Sequence, residues 1–210
     1  MINLKFADNS DRLNPFKQKI EKVFHNSIEK IISKIPVDNV VVVVWDRPES
    51  CIPEIGIGGY APNATSLEVY MNPEFSNFDK VVEKDLIHTL AHELHHCLRW
   101  KDPGYGNTLL QAMIAEGLAD HFDIEITGCD IPMWSNALSG VQIDKMKERA
   151  KVEYNNNNYN HPEWFFGSKD KDIPRWTGYT LGFHLVKDYL NEHPSQKAST
   201  LYNLRAMEFR

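Results

Sequence analysis

The sequence predicts an α+β fold, in which a small mixed sheet near the N-terminus is followed by a mostly helical C-terminal part. The first 75 residues contain three short strand-like runs, whereas apolar residues recur at helical spacing from about residue 76 onward. Of the 210 residues, 42% are hydrophobic and 25% are charged, a composition that can bury a sizeable core. We therefore expect one domain over residues 1–210, with a helix-plus-sheet part at 1–75 and a helical part at 76–210.

The helix-plus-sheet part is predicted from local signals. A helix begins near Asn14 and ends before Pro36, because apolar residues recur there every three or four positions. Val40–Trp45 is a β-branched run, typical of a central strand that is covered on both faces. Two further strands are predicted at Ile55–Tyr60 and Leu67–Met71.

The remainder of the chain is predicted to form four further helices. Thr108-x-x-Gln111 is a capping box, which places the start of one of these helices at that position. The Asn-rich segment Asn155–Asn160 is expected to be a loop. The predicted helices cover about residues 76–100, 108–126, 141–154 and 177–190.

Charge and composition exclude several classes of protein. Lys and Arg total 23 against 29 Asp and Glu, a formal charge of −6 without a basic stripe, so we expect no nucleic-acid partner. The longest uncharged apolar run is far below the roughly 20 residues of a membrane span. The polar start Met1–Asp11 lacks a signal-peptide core, so a cytoplasmic location is expected if Met1 is the native start. Three scattered cysteines predict neither a disulfide framework nor a cysteine-bound metal.

A metal-binding motif lies in the helix predicted at 76–100. His92-Glu93-Leu94-His95-His96 is an H-E-x-x-H sequence, and residues four apart on a helix point the same way, so His92 and His96 can share one ion. Glu93 lies close enough to reach a water on that ion without being a ligand. The alternative is a solvated surface stripe of histidines, since polar residues on a helix are usually exposed.

The next predicted helix supplies a third ligand. Glu116 follows His96 by twenty residues, an offset that fits a helix, a short loop and a returning helix. Two imidazoles and one carboxylate leave a fourth zinc position for water, as in catalytic sites. Asp120, one turn later, is placed to accept the N–H of His92, and Gly117 permits close helix approach. The alternative is that both acids are simply exposed.

Three segments of the chain carry a family resemblance. AHELHHCLRW, LLQAMIAEGLADHF and WTGYTLGFHLV, within Leu86–Lys187, resemble the thermolysin-like zincins whose third ligand is Glu, called gluzincins. More closely, they look like a family of predicted zinc-dependent proteases whose domain has no assigned function. The resemblance implies a zincin-like fold and one catalytic Zn²⁺ bound by His92, His96 and Glu116. It also implies that Glu93 is the general base.

The same resemblance implies a later Tyr or His that stabilises the oxyanion. Tyr179 and His184 are the main candidates, and His161 and Arg175 are weaker ones. Each also has an ordinary packing role as its alternative.

Gly56–Tyr60 is a candidate edge strand for pairing with an extended peptide, although glycine-rich strands are equally common as bulges.

From the motif, the third ligand and the resemblance, we expect a zinc metallopeptidase of the gluzincin type that acts on a peptide or protein. The alternatives are a binding or regulatory protein that keeps this scaffold without turnover, and a zinc hydrolase that acts on a non-peptide amide. The pattern of residues leaves the substrate, the cleavage preference and the oligomeric state open.

Overall fold

The computed structural model describes residues 1–7 and 11–210 and confirms the predicted α+β class. Residues 8–10, within the segment predicted to be a polar start, lie outside the described part. The chain divides into two compact units, an N-terminal unit at Met1–Lys101 and a C-terminal unit at Asp102–Arg210. The single domain over residues 1–210 stays a prediction.

The N-terminal unit contains a four-stranded mixed sheet. Its strands are β1 (Ile2–Phe6), β2 (Val40–Asp46), β3 (Ile57–Asn63) and β4 (Ser66–Met71), in the spatial order β1-β2-β4-β3. β1 and β4 pair with β2 in parallel, whereas β3 pairs with β4 in antiparallel orientation. β2 is therefore a central strand, as predicted, and β3 is an edge strand.

Three features of the sheet differ from the sequence-based prediction. β1 was not predicted, because five residues alternating Ile2, Leu4 and Phe6 with polar neighbours form too short a pattern without their partner strand. β3 begins later and ends later than the predicted Ile55–Tyr60. The residues of β2 also alternate between buried and intermediate exposure, so one face of this strand is less completely covered than predicted.

Two helices pack in the N-terminal unit, α1 (Lys17–Ile32) and α2 (Phe78–Lys101). α2 packs against β3, β4 and α1. Its buried residues lie on most sides of the helix, which explains why its amphipathic pattern is weak. This packing fixes α2, the helix that carries the H-E-x-x-H motif, beside the edge strand β3.

The C-terminal unit contains α3 (Leu109–Thr127), α4 (Gly140–Glu153), α5 (His161–Phe166) and α6 (Thr177–Glu192). The predicted capping box is present at Thr108 and Gln111, and α3 ends at Gly128 in the left-handed conformation. α5 was not predicted, because one and a half turns give too few residues for a periodic pattern. Within the described ranges, no helix is both long and apolar enough to cross a membrane.

The closest helix crossing in the C-terminal unit is that of α3 and α6. A Cβ at Gly117 would collide with the backbone of Gly182, and a Cβ at Gly182 would collide with the carbonyl of Met113. The two glycines thus let the helix backbones touch, as predicted for Gly117. Gly117 directly follows Glu116, and Gly182 lies almost one turn after Tyr179. The crossing therefore brings together the two helices that carry Glu116 and Tyr179.

Candidate metal centre

His92 and His96 face each other on α2. Their Nε2 atoms lie 3.0 Å apart, and their ring centroids are separated by 4.7 Å. Two nitrogens at the usual zinc distance on a tetrahedral ion would lie roughly 3.3 Å apart. The helix therefore presents two imidazole nitrogens at a separation that one zinc ion can bridge, with donor atoms of the type that zinc prefers.

Most residues of the motif are buried, and His92 is intermediate in exposure. His96 is 5% exposed, Glu93 is 8% exposed, and His95 is fully enclosed. The burial of His96 is not that of a solvated surface stripe, which was the alternative for the motif. Burial of a carboxylate and of imidazoles costs free energy unless they have hydrogen-bond partners or bind a metal. The burial of these groups is therefore typical of a functional site.

The edge strand β3 contacts Glu93 directly. A Cβ at Gly59 would lie 2.5 Å from Cγ and 2.8 Å from Oε1 of Glu93, and also 2.8 Å from Cγ2 of Thr89. The absence of a side chain at Gly59 therefore lets the backbone of β3 approach the predicted general base. The strand also contains a register shift between Tyr60 and Asn63, so it is both an edge strand and a bulged one.

Glu116 is 6% exposed on α3, which excludes an exposed helical acid. The hydroxyl of Tyr105 donates a hydrogen bond of 2.6 Å to its Oε1. Burial of that hydroxyl is the main cause that raises the pKa of Tyr105 well above its ordinary value, and the charge of Glu116 adds to the shift. The phenol consequently stays protonated and remains a donor to the carboxylate.

Asp120 is fully buried one turn after Glu116. Its carboxylate accepts from the indole N–H of Trp134, which lies 3.1 Å from both oxygens, and from the hydroxyl of Ser135. The hydroxyl of Thr180, on α6, donates in turn to the carbonyl of Trp134 at 3.0 Å. This network fixes the orientation of the carboxylate. The predicted acceptance of a His92 N–H by Asp120 stays a prediction.

A tyrosine and a histidine near Glu116 form a pair. Tyr159 Oη lies 3.1 Å from Nδ1 of His161, and the imidazole stacks on Phe165 at 4.2 Å. Burial raises the pKa of Tyr159 to about 12, and the charge of Glu116 contributes to the shift. Burial lowers the pKa of His161, with Glu116 opposing it in part. Both groups are therefore uncharged near neutral pH, and both feel the charge of Glu116.

Tyr179 lies on the first turn of α6 and belongs to the same surroundings. Its ring meets Phe165 edge to face at 5.0 Å, and it interacts electrostatically with Tyr105. Phe165 contacts both Tyr179 and His161, and therefore lies between their rings. The predicted oxyanion donor on α6 thus shares neighbours with Glu116.

His184 and Arg175 have other described neighbours. Burial is the main cause that lowers the pKa of His184, and the positive charges of Lys147 and Lys187 lower it further. The guanidinium of Arg175 lies 3.9 Å above the ring of Trp176. Neither set of contacts includes the residues around Glu116, and the predicted catalytic role of His184 stays a prediction.

Sequence reasoning did not single out Tyr105, Tyr159, Trp134 or Ser135. Tyr105 lies in the loop that precedes α3, and the path of a loop is decided by packing rather than by a local pattern. The other three lie on segments without periodicity, so no local pattern marks them.

A family model described as "Predicted Zn-dependent protease (DUF2268)" matches residues 16–210. The matched region contains every residue of the candidate metal centre described above. No curated protein and no solved structure matches the chain.

Proposed function

This chain belongs to the predicted zinc-dependent protease family, and on that premise we propose that it is a metallopeptidase of the gluzincin type. His92 and His96 would each supply one ring nitrogen to the zinc, and Glu116 would supply one carboxylate oxygen. The observation that carries the proposal is the 3.0 Å separation of the two Nε2 atoms on α2, the helix that also carries the buried Glu93. Two imidazoles and a carboxylate match the ligand types of catalytic zinc sites.

Bound zinc would lower the pKa of its water toward about 7 and polarise the substrate carbonyl. Glu93 would accept the proton of that water and pass it to the leaving amine. Its position supports this role, because it directly follows His92 and is in contact with the backbone at Gly59. An extended peptide that paired with the edge strand β3 would therefore run close to the base.

The oxyanion of the reaction needs a hydrogen-bond donor besides the metal. We place Tyr179 first, because it shares neighbours with Glu116, and we keep His184 as the second candidate. His161 also remains a candidate, since the charge of Glu116 acts on it. Asp120 would hold the tautomer of His92, a role that suits a buried carboxylate with fixed orientation.

The test is zinc content together with hydrolysis of a peptide library. The parent protein, purified without chelator, is expected to hold about one zinc per chain and to cleave peptides. Glu93→Gln should keep the zinc and lose hydrolysis, whereas Glu116→Ala should lose both. Less than a tenth of an equivalent of zinc in the parent would overturn the proposal.

The same experiment separates the alternatives. Zinc binding without any cleavage that depends on Glu93 would indicate a scaffold without turnover. Cleavage of simple amides but of no peptide would indicate a different hydrolase. A Glu93→Gln variant as fast as the parent would remove Glu93 from the role of general base.

A further inference from the structure

We propose that the hydroxyl of Tyr105 keeps Glu116 a monodentate zinc ligand, because its hydrogen bond to Oε1 favours coordination of the metal by the other carboxylate oxygen. The inference rests on the proposed function, since it concerns the ligand that Glu116 would provide. Tyr105 is thus a positioning residue that acts through Glu116. It belongs, with Glu116, to the C-terminal unit.

The hydrogen bond has the geometry of a strong interaction. The distance of 2.6 Å between Tyr105 Oη and Glu116 Oε1 lies in the range of bonds from a hydroxyl to a carboxylate, 2.5–2.7 Å. A phenol carries one O–H donor, whereas an ionised carboxylate only accepts, so the direction of the bond is defined. One of the two oxygens is therefore engaged before any metal binds.

The loop that carries Tyr105 is anchored to the helix that carries Glu116. Gly104 and Gly106, on either side of Tyr105, have φ values of +95° and +101°, a region that favours glycine. A Cβ at Gly106 would overlap the side chain of Gln111, in the first turn of α3. The amide oxygen of Gln111 also accepts from the backbone N–H of the two residues after Gly106. Tyr105 and Glu116 are thus held against one another by a short, fixed segment.

Monodentate binding matters for the proposed chemistry. A carboxylate that binds through both oxygens adds one more ligand atom to the ion. A catalytic zinc site with three protein ligands keeps its fourth position for water or substrate. By keeping one oxygen off the metal, the Tyr105 hydroxyl would preserve that open position, and by holding the carboxylate in place it would strengthen metal binding.

The test is the full-length Tyr105→Phe variant, with Tyr189→Phe as the matched control. Tyr189 lies on α6, and the described contacts of its side chain are ring contacts with His193 and Phe209. Zinc affinity is measured by competition with a chelator, and coordination number by the visible absorption of the cobalt(II) form. In Tyr105→Phe we expect about 10- to 100-fold weaker zinc binding, the usual effect of removing a hydrogen-bond partner of a metal-binding side chain. We also expect weaker cobalt bands, because the ion gains a ligand atom.

The control should match the parent in both measurements. If either zinc affinity or the cobalt spectrum of Tyr105→Phe equals that of the parent, the inference is overturned. A parent that binds no zinc instead overturns the proposed function, so the two failures are distinguishable. If Tyr105→Phe does not fold, Tyr105→Leu removes the same hydroxyl and is judged by the same two measurements.

Discussion

Glu116 and Asp120 show how two acids one turn apart on α3 acquire different properties from their partners. Glu116 has one oxygen held by a phenol, whereas both oxygens of Asp120 accept from Trp134 and one also accepts from Ser135. A carboxylate that accepts from several donors, as that of Asp120 does, is fixed in orientation. The described contacts of Asp120 therefore suit the supporting role proposed for it.

The hydroxyl of Ser135 gives a prediction at this scale. Ser135→Ala would remove one donor from a fully buried carboxylate, and leaving a buried polar group short of a partner costs about 1–3 kcal/mol. We expect the free energy of unfolding of the variant to be lower than that of the parent by this amount, as measured by denaturant unfolding of the metal-free protein. Ser195→Ala is the control, because that residue is exposed and should change stability by no more than about 0.5 kcal/mol. Equal losses in the two variants would contradict the prediction.

Single residues also explain which site predictions were possible from sequence. The pairing of His92 with His96 follows from helix geometry alone, since residues four apart share a face. The bond from Tyr105 to Glu116 depends on the path of a loop that two positive-φ glycines define. Loop paths of this kind are decided by packing, so spacing along the chain does not reveal them.

At the scale of elements, the crossing of α3 and α6 depends on two glycines. Gly117 and Gly182 allow backbone contact where any Cβ would overlap main-chain atoms, which cannot move aside as a flexible side-chain end can. The hydroxyl of Thr180, two residues before Gly182, donates a hydrogen bond to the carbonyl of Trp134, whose indole N–H in turn donates to Asp120. The close crossing therefore positions α6 relative to the supporting network as well as to α3.

Gly182→Ala is expected to destabilise the protein by about 1–3 kcal/mol, because the added methyl forces the two helices apart. Gly140→Ala is the matched control on α4, where a Cβ meets nothing within 4 Å. Since alanine is the better helix former, the control should be unchanged or stabilised by up to about 1 kcal/mol. Thermal and denaturant unfolding of both variants measure the effect. A Gly182→Ala protein as stable as Gly140→Ala would show that the crossing tolerates a side chain.

The elements differ in how far local sequence defines them. α3 begins at Thr108 and ends at Gly128 almost as predicted, because a capping box and a left-handed glycine are local signals. β1 has no comparable signal, and it exists as a strand because it pairs in register with β2. α5 has an Asn160 cap and a proline in its first turn, but its six residues are too few to show periodicity.

At the scale of the whole molecule, metal binding should appear as stability. A ligand that binds the folded chain and not the unfolded one stabilises it by about 2.7 kcal/mol at 100 times its dissociation constant. We expect zinc to raise the melting temperature of the parent and a chelator to lower it again, as measured by calorimetry. The Glu116→Ala variant is the control and should respond weakly to either addition. A chelator response that is as large in Glu116→Ala as in the parent would remove Glu116 from the ligand set.

The sequence by itself determined the α+β class, the helix that carries His92, Glu93 and His96, and the candidate third ligand Glu116. The fold class and the motif helix follow from periodicity, capping and helical spacing, which act over a few neighbouring residues, and Glu116 follows from its offset of twenty residues from His96. Only the tertiary structure decided the burial of the motif, the contact of Gly59 with Glu93 and the bond of Tyr105 to Glu116. The physical reason is that these contacts join residues on different elements, and packing of the folded chain, rather than local preference, selects which of them meet.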